Sequence, residues 1–541
     1  MIMLLCEGSP YYTAFRKTSV LNVLQQINDD IVELHAQYLY RVYAQALSTK
    51  DEQEVASLLR ATTITDPLCD NKSWQFMVVP RLGTVSPWSS KATDIAHCCQ
   101  LPTIDRIETG VLYHIQSRKP LDSNTQQAVL KALHDPLTET VIMDLKELDE
   151  KHEETERNPS IIIDVLNKGK EELESANDTM GLALSPQEID YLFENSLRLK
   201  KNPTDTELMM FSQVNSEHCR HKIFNANWTI DDRPQAYTLF QMIRNTMKQH
   251  PNDVKVAYDD NAAVLGGSLA HWFIPDNSSQ HYAHHEEPSN IVLKVETHNH
   301  PTAISPFAGA ATGSGGEIRD EAATGRGAYS KAGLCGFATG HLNLPNLPQP
   351  WELDIGKPPH LATAFEIMRD GPIGAASFNN EFGRPNISGF FRTFEIQLSR
   401  EVGDVVRSYY KPMMVAGGIG AIRDSQIEKK ALPVGAKLIV LGGPAMMIGL
   451  GGGSASSRSN TDDQYALDFA SVQRSNPQMQ RRAQEVINRC WMMGEDNPIL
   501  SLHDVGAGGL SNAMPEIIHT DNRGGQFDLT AIPNAQPDMS P

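Results

Sequence analysis

Apolar and polar positions change in short blocks through the first 150 residues. Trp74 to Val79 reads as a strand, Val20 to Leu47 carries helical spacing, and the stretch closes on LTETVIMDL, so residues 1–150 are expected to form a small α+β domain. Ser185-Pro-Gln-Glu188 has the spacing of a capping box with proline at the first helical position, ahead of EIDYLFENSLRL. Thr204-Asp-Thr-Glu207 repeats the device before LMMFSQVNSEHC, which predicts a helical linker domain over 151–225. Ile291, Val292 and Val295 predict a buried strand, as do Met414 to Ile422, Lys437 to Leu441 and the apolar residues before His503. The glycines and proline between Gly371 and Pro385 predict a loop around Asn379, Asn380, Glu381 and Arg384. The rest divides into subdomains 226–425 and 426–541, with the new domain expected to open near Pro433. The expected fold class is α+β / α/β multidomain, with a core of mixed sheet and helices.

A chain of 541 residues has room for three or four domains. Its net charge of −19, with no basic run, argues against general nucleic-acid binding. Seven cysteines without CxxC spacing suit reduced thiols and a cytoplasmic protein. MIMLLCEGSP lacks a basic n-region and soon turns polar, so a first strand is expected there rather than a signal peptide. No apolar run approaches the roughly 20 residues that a membrane span needs.

Candidate chemistry concentrates between Ile291 and Gly333. The predicted strand delivers Lys294, Glu296, Thr297, His298, Asn299 and His300 to its carboxyl end, where Pro301 stops ladder pairing. Gly309, Ala310, Ala311, Thr312, Gly313, Ser314, Gly315, Gly316, Glu317, Ile318, Arg319 and Asp320 follow. Their glycines predict a loop whose N–H groups turn inward on phosphate, aided by Arg319, although the spacing is not a Walker loop. Asn215-Ser-Glu-His-Cys-Arg-His-Lys222 brings His218, Cys219 and His221 together, but no further cluster completes a zinc site. His152 lies in the acidic stretch ELDEKHEETERN, which reads as a solvated linker. Asp504 precedes glycines that enter a helix, a position equally suited to a metal-binding carboxylate and to a helix cap.

KVETHNHPTAISPFAGAATGSGGEIRD, SEHCRHK and LDFASVQR resemble the signatures of phosphoribosylformylglycinamidine synthase, the large fused glutamine-dependent type, within the aminoimidazole-ribonucleotide-synthetase-like superfamily. The resemblance covers the whole chain and implies an incomplete synthetase-like core. It implies ATP-dependent amidation of formylglycinamide ribonucleotide through an iminophosphate, with ammonia from glutamine, in purine biosynthesis. His298 and His218 would be catalytic; the 309–320 run, Lys294 and His221 would bind ATP. Thr297, Asn299, His300, Arg319 and Gln473 would hold the substrate, and Glu296, Asp320 and Asp504 would bind Mg2+. An ordinary histidine pKa of about 6.5 suits His298 to accept the amination proton. The missing partners would be a second synthetase half and a glutaminase domain with a Cys-His-Glu triad. Two alternatives stand beside this: another ATP-dependent synthetase of the superfamily, or a nucleotide-binding fragment without turnover.

Overall fold

The structure, a computed structural model, describes residues 2–65, 73–82, 85–135, 138–149, 158–353, 355–400, 403–452, 469, 471–473, 476–519, 522–534 and 540. His152, residues 453–457 of the second glycine-rich run, and Leu467, Asp468, Ala470 and Arg474 of LDFASVQR lie outside these described residues. The chain divides into two compact units, Met1–Arg157 with Asn534–Asp538, and Asn158–Pro533 with Met539–Pro541. Among the described residues no helix is long and apolar enough to cross a membrane.

The first unit is a six-stranded sheet with helices against it. Its strands are β1 (Ile2–Pro10), β2 (Ile31–Ala44), β3 (Thr62–Ile64), β4 (Trp74–Pro80), β5 (Ile104–Ser117) and β6 (Glu139–Ile142), in the order β3-β1-β2-β5-β4-β6. The helical spacing read over Val20 to Leu47 holds only through α1 (Ala14–Ile27). Beyond Asp30 the β-branched and aromatic residues Ile31, Val32, Tyr38, Tyr40 and Val42 favour extended chain, and β2 pairs with β1 on one side and β5 on the other. Helices α2 (Thr49–Leu59), α3 (Pro87–Cys98) and α4 (Ser123–Leu133) follow. Leu24, Leu34, Phe76, Tyr113 and Val129 form one core cluster, and Val42, Val55, Ala96 and Ile107 another.

The second unit opens with helices α5 (Lys170–Thr179), α6 (Pro186–Leu199) and α7 (Asp205–Val214), packed through Leu173, Ile189 and Leu208. Both expected capping boxes form: Ser185 with Glu188 opens α6, and Thr204 with Glu207 opens α7. A mixed sheet follows, with strands β7 (Val254–Val256), β8 (Ala263–Pro275), β9 (Tyr282–Thr297), β10 (Tyr329–Thr339), β11 (Asn386–Thr393) and β12 (Met413–Arg423). Their order is β11-β10-β12-β9-β8-β7, with only β10 and β11 parallel.

Two helices cover one face of this sheet, α9 (Pro306–Ala323) and α10 (Ala364–Phe382), reached from β9 through the short α8 (Asn299–Ile304). Ala310, Phe337, Ile367, Ala375 and Met414 pack between helices and sheet, and Ala311, Ile318, Phe378 and Phe382 pack between the helices. The strand expected to be buried throughout is buried on one face: Val292 is enclosed, whereas Ile291 and Val295 are exposed, Val295 at 64%. Alternation along an extended chain produces this, since successive side chains point to opposite sides.

Three further expectations change. The Gly371 to Pro385 run is mostly helix, the second half of α10, with Pro372 inside it and the left-handed Gly383 ending it. Lys437 to Leu441 joins no ladder and is exposed at Ile439 and Val440; the residues before His503 also lie outside any strand. A strand needs a partner edge as well as apolar side chains, and neither segment finds one among the described residues. Helices α11 (Pro477–Met492) and α12 (Leu510–His519) complete the unit.

Candidate active site

The end of β9 presents alternate residues toward α9. Lys294 and Glu296 lie two apart on one face of the strand, and His298 leaves the sheet with its N–H still donating to Met414 O of β12 at 2.9 Å. His298 is half-buried, and its Nδ1 lies 2.7 Å from Gly309 O. That carbonyl can only accept, so Nδ1 carries the hydrogen and Nε2 holds the lone pair. Burial pushes the His298 pKa down to about 4, against an opposing pull from the Gly309 carbonyl. The imidazole is thus neutral at physiological pH, not poised near 6.5.

The glycine run forms no phosphate loop. Residues 309–320 lie within α9, where successive N–H groups are spent on the helix itself. None of Gly309, Gly313, Gly315 or Gly316 has a positive φ, so no turn requires them. Close approach does. A Cβ at Gly309 would overlap the Pro301 carbonyl and the Thr302 nitrogen of α8; one at Gly313 would lie 2.9 Å from His298 Cβ. One at Gly316 would lie 2.5 Å from Glu296 Oε1. Bare backbone lets α9 rest directly on the strand end that carries Glu296 and His298.

Helical geometry then sorts the acids of this run. Glu317 and Glu321 point inward and share one guanidinium, that of Arg384, with Ser330 also bonded to both Arg384 and Glu321. Burial, then the neighbouring Glu317, push the Glu321 pKa up to about 8. Ile318 is core, and the run from Gly309 to Gly316 is buried. His300 is 2% exposed inside α8.

Asp320, on another side of α9, meets Lys294 Nζ in an ion pair, and Lys294 Nζ stands 3.8 Å from Glu296 Oε2. Asn261 closes the group: its Nδ2 donates to Asp504 Oδ1 at 2.8 Å and approaches Asp320 Oδ1 at 3.4 Å, and its backbone O accepts from Lys294 Nζ at 3.2 Å. Burial and the charge of Asp504 raise the Asp320 pKa to about 7, against the pull of Lys294. Burial also raises Glu296, despite Lys294 and Arg319 nearby. The cluster therefore holds more carboxylate than its cations offset.

A divalent cation fits that imbalance. Among the described residues no three acidic, histidine or cysteine side chains are grouped to hold one ion. Lys294 supplies a positive charge between Glu296 and Asp320, and Asn261 bridges Asp320 to Asp504. One or two carboxylates are what Mg2+ takes when phosphate oxygens and water fill the remaining positions.

The other expected residues are distributed around this centre. His218 is exposed on the short turn Glu217–Arg220; partial desolvation and His221 lower its pKa, against Asp504 and Glu516. Cys219 accepts from Asn512 Nδ2 of α12 at 2.7 Å, which docks this turn beside the Asp504 segment. His221, with left-handed backbone at φ 48°, places its ring edge-on to Phe240 at 5.2 Å. Thr297 is exposed at the strand end, and Asn299 Oδ1 accepts from Met414 N at 2.9 Å. Gln473 O lies 3.3 Å from the Thr312 hydroxyl, on the rim of α9. Arg319 is half-buried near Glu296.

Four residues that hold the site escaped the sequence reading. Asp260 accepts from Gly325 N at 2.7 Å and pairs with Lys429 Nζ at 2.6 Å, which positions Asn261. Arg326 donates to Ile499 O and Asn497 O, each at 2.8 Å, and so fixes the approach to Asp504. The run Asp259-Asp260-Asn261 ahead of the apolar residues Ala262 to Leu265 was the available signal.

Comparison with known proteins bears on this arrangement. Residues 433–541 match the family described as AIR synthase related protein, C-terminal domain, which sets the class of protein. Residues 36–151 match formylglycinamide ribonucleotide amidotransferase N-terminal, and residues 173–222 match the linker domain of the same enzyme. The chain belongs to the phosphoribosylformylglycinamidine synthase type of the AIR-synthase-like superfamily. Two solved structures from T. maritima are similar to it, PurL complexed with FGAR and PurL complexed with ATP. They are 23% and 22% identical over 65% of this chain and 45% and 43% of theirs, with TM-scores of 0.41 and 0.39. The chain spans less than half the length of either.

Proposed function

We propose that this chain carries the synthetase chemistry of its family: ATP-dependent amidation of formylglycinamide ribonucleotide to formylglycinamidine ribonucleotide. The observation that carries the reading is the pairing, at one strand end, of an under-neutralised Asp320–Asp504 pair with a neutral His298 whose Nδ1 is committed to Gly309. The amide carbonyl of the substrate is a poor electrophile. Transfer of the γ-phosphoryl group of ATP to its oxygen gives an iminophosphate and ADP; ammonia then adds to carbon, phosphate leaves, and one proton must be removed from nitrogen.

Asp320 and Asp504 would hold Mg2+, which when bound offsets the charge of the transferring phosphoryl group. Lys294 and Arg319, backed by Glu296, would meet the remaining phosphate charge, and His221 would contact ATP. Thr297, Asn299 and Gln473 would orient the substrate. His298 Nε2 would accept the proton from the incoming nitrogen, because the triphosphate's negative charge raises an imidazole held low by burial. His218 stands across from Asp504 as the second imidazole. The ammonia would come from glutamine through a glutaminase domain, in the cytoplasm.

The test is phosphate release from ATP and formylglycinamide ribonucleotide labelled with 18O at the amide oxygen, with ammonia supplied. The assay is run on the chain alone and with the carboxy-terminal portion of the family enzyme added separately. The expected result is ammonia-dependent release of phosphate carrying one 18O. Silence in both, or unlabelled phosphate, overturns the reading.

A further inference from the structure

Asn261 does more than border the carboxylates. Its single side-chain amide reaches two acids that are 59 and 243 residues away in sequence, Asp320 at the end of α9 and Asp504 on an extended segment. The same residue's carbonyl receives Lys294, and its own N–H is held by Asp260 Oδ1 at 2.8 Å. Asp260 in turn is clamped by Gly325 N and Lys429. The amide is thus a braced donor set between two carboxylates that would otherwise repel.

We propose that Asn261 is a positioning residue that keeps Asp320 and Asp504 at cation-sharing distance when no metal is bound; this rests on the reading of that pair as the Mg2+ site. A neutral amide N–H satisfies both oxygens without competing as a charge, so an incoming divalent ion displaces it at little electrostatic cost. An aspartate at 261 removes the donor and adds a third negative charge, so the Asp504 segment is driven off until a cation restores it. An alanine removes the donor without adding a charge, so its effect is smaller.

Amide hydrogen exchange over residues 499–506 reads this directly in the wild-type chain, Asn261→Ala and Asn261→Asp, in chelator and in Mg2+. In chelator exchange is expected to quicken by roughly tenfold or more in Asn261→Asp and by less in Asn261→Ala, the loss of bonds to a charged acceptor. Mg2+ alone is expected to return Asn261→Asp to the wild-type rate. Unchanged exchange in both variants overturns the proposal, and so does faster exchange in Asn261→Asp that Mg2+ leaves untouched, which would mark a packing role only. Calorimetry of Mg2+–ATP binding to the wild type separates the two ideas: no binding, with the exchange pattern as expected, sinks the functional reading and leaves Asn261's role standing.

Discussion

Gly309→Ala and Gly316→Ala make the most exacting pair of perturbations, since ordinary helix physics gives both the same sign and the contacts here do not. Replacing glycine by alanine inside a helix normally stabilises by about 0.5–1 kcal/mol through lost unfolded-state freedom. At Gly309 the new methyl meets backbone of α8, the Pro301 carbonyl and the Thr302 nitrogen, which cannot rotate away. Overpacking costs about 1–3 kcal/mol, and backbone obstruction belongs at the top of that range, so Gly309→Ala is expected to lose about 2 kcal/mol net. At Gly316 the obstacle is the free end of Glu296, at 2.5 Å, which swings aside. Stability there should hold or rise slightly, while the Glu296 carboxylate moves off Lys294 and nucleotide affinity falls. Native-state hydrogen exchange over residues 306–323, with Mg2+–ATP titration beside it, separates the two effects. If Gly309→Ala is as stable as wild type, α9 does not lie on α8 as described, and the explanation for the glycines collapses.

Removing the guanidinium in Arg384→Met leaves Glu317 and Glu321 buried without a cation, so a loss of about 3–5 kcal/mol is expected in denaturant unfolding of the second unit. Glu321→Gln mimics the protonated carboxyl. Because Glu321 is held up to about 8 in the fold, its contribution is full below the unfolded value near 4.5 and is lost as pH rises through about 8. The variant should therefore lose stability less steeply than wild type between pH 5 and 8, and an unchanged slope counts against the shared-guanidinium account. Ser185→Ala removes the α6 cap and should cost about 1 kcal/mol, seen as faster exchange in the first turn of that helix.

Local chemistry was legible along the chain where a few neighbouring residues suffice to decide it. The capping boxes at Ser185 and Thr204 formed as spaced, β9 ended ahead of Pro301, and Glu296, Asp320 and Asp504 came into one neighbourhood. Errors arose where the same residues serve different ends in different surroundings. Glycine signals a turn when its φ is positive and a close contact when it is helical, and nothing within residues 309–316 distinguishes the two. Likewise the alternation of Ile31 to Ala44 competes with a helical reading until β1 and β5 supply edges on both sides.

The order of residues alone determined which groups carry charge, which can donate protons, and where proline and caps must start or stop an element, because these depend on covalent structure and on partners one turn away. Tertiary packing decided the rest. It turned Glu317 and His300 inward while leaving Asp320 to meet Lys294, lowered the His298 pKa by drawing its ring out of water, and brought Asn261 to two acids far along the chain. Burial and long-range charge set those outcomes, and both act through neighbours that only the folded chain assembles.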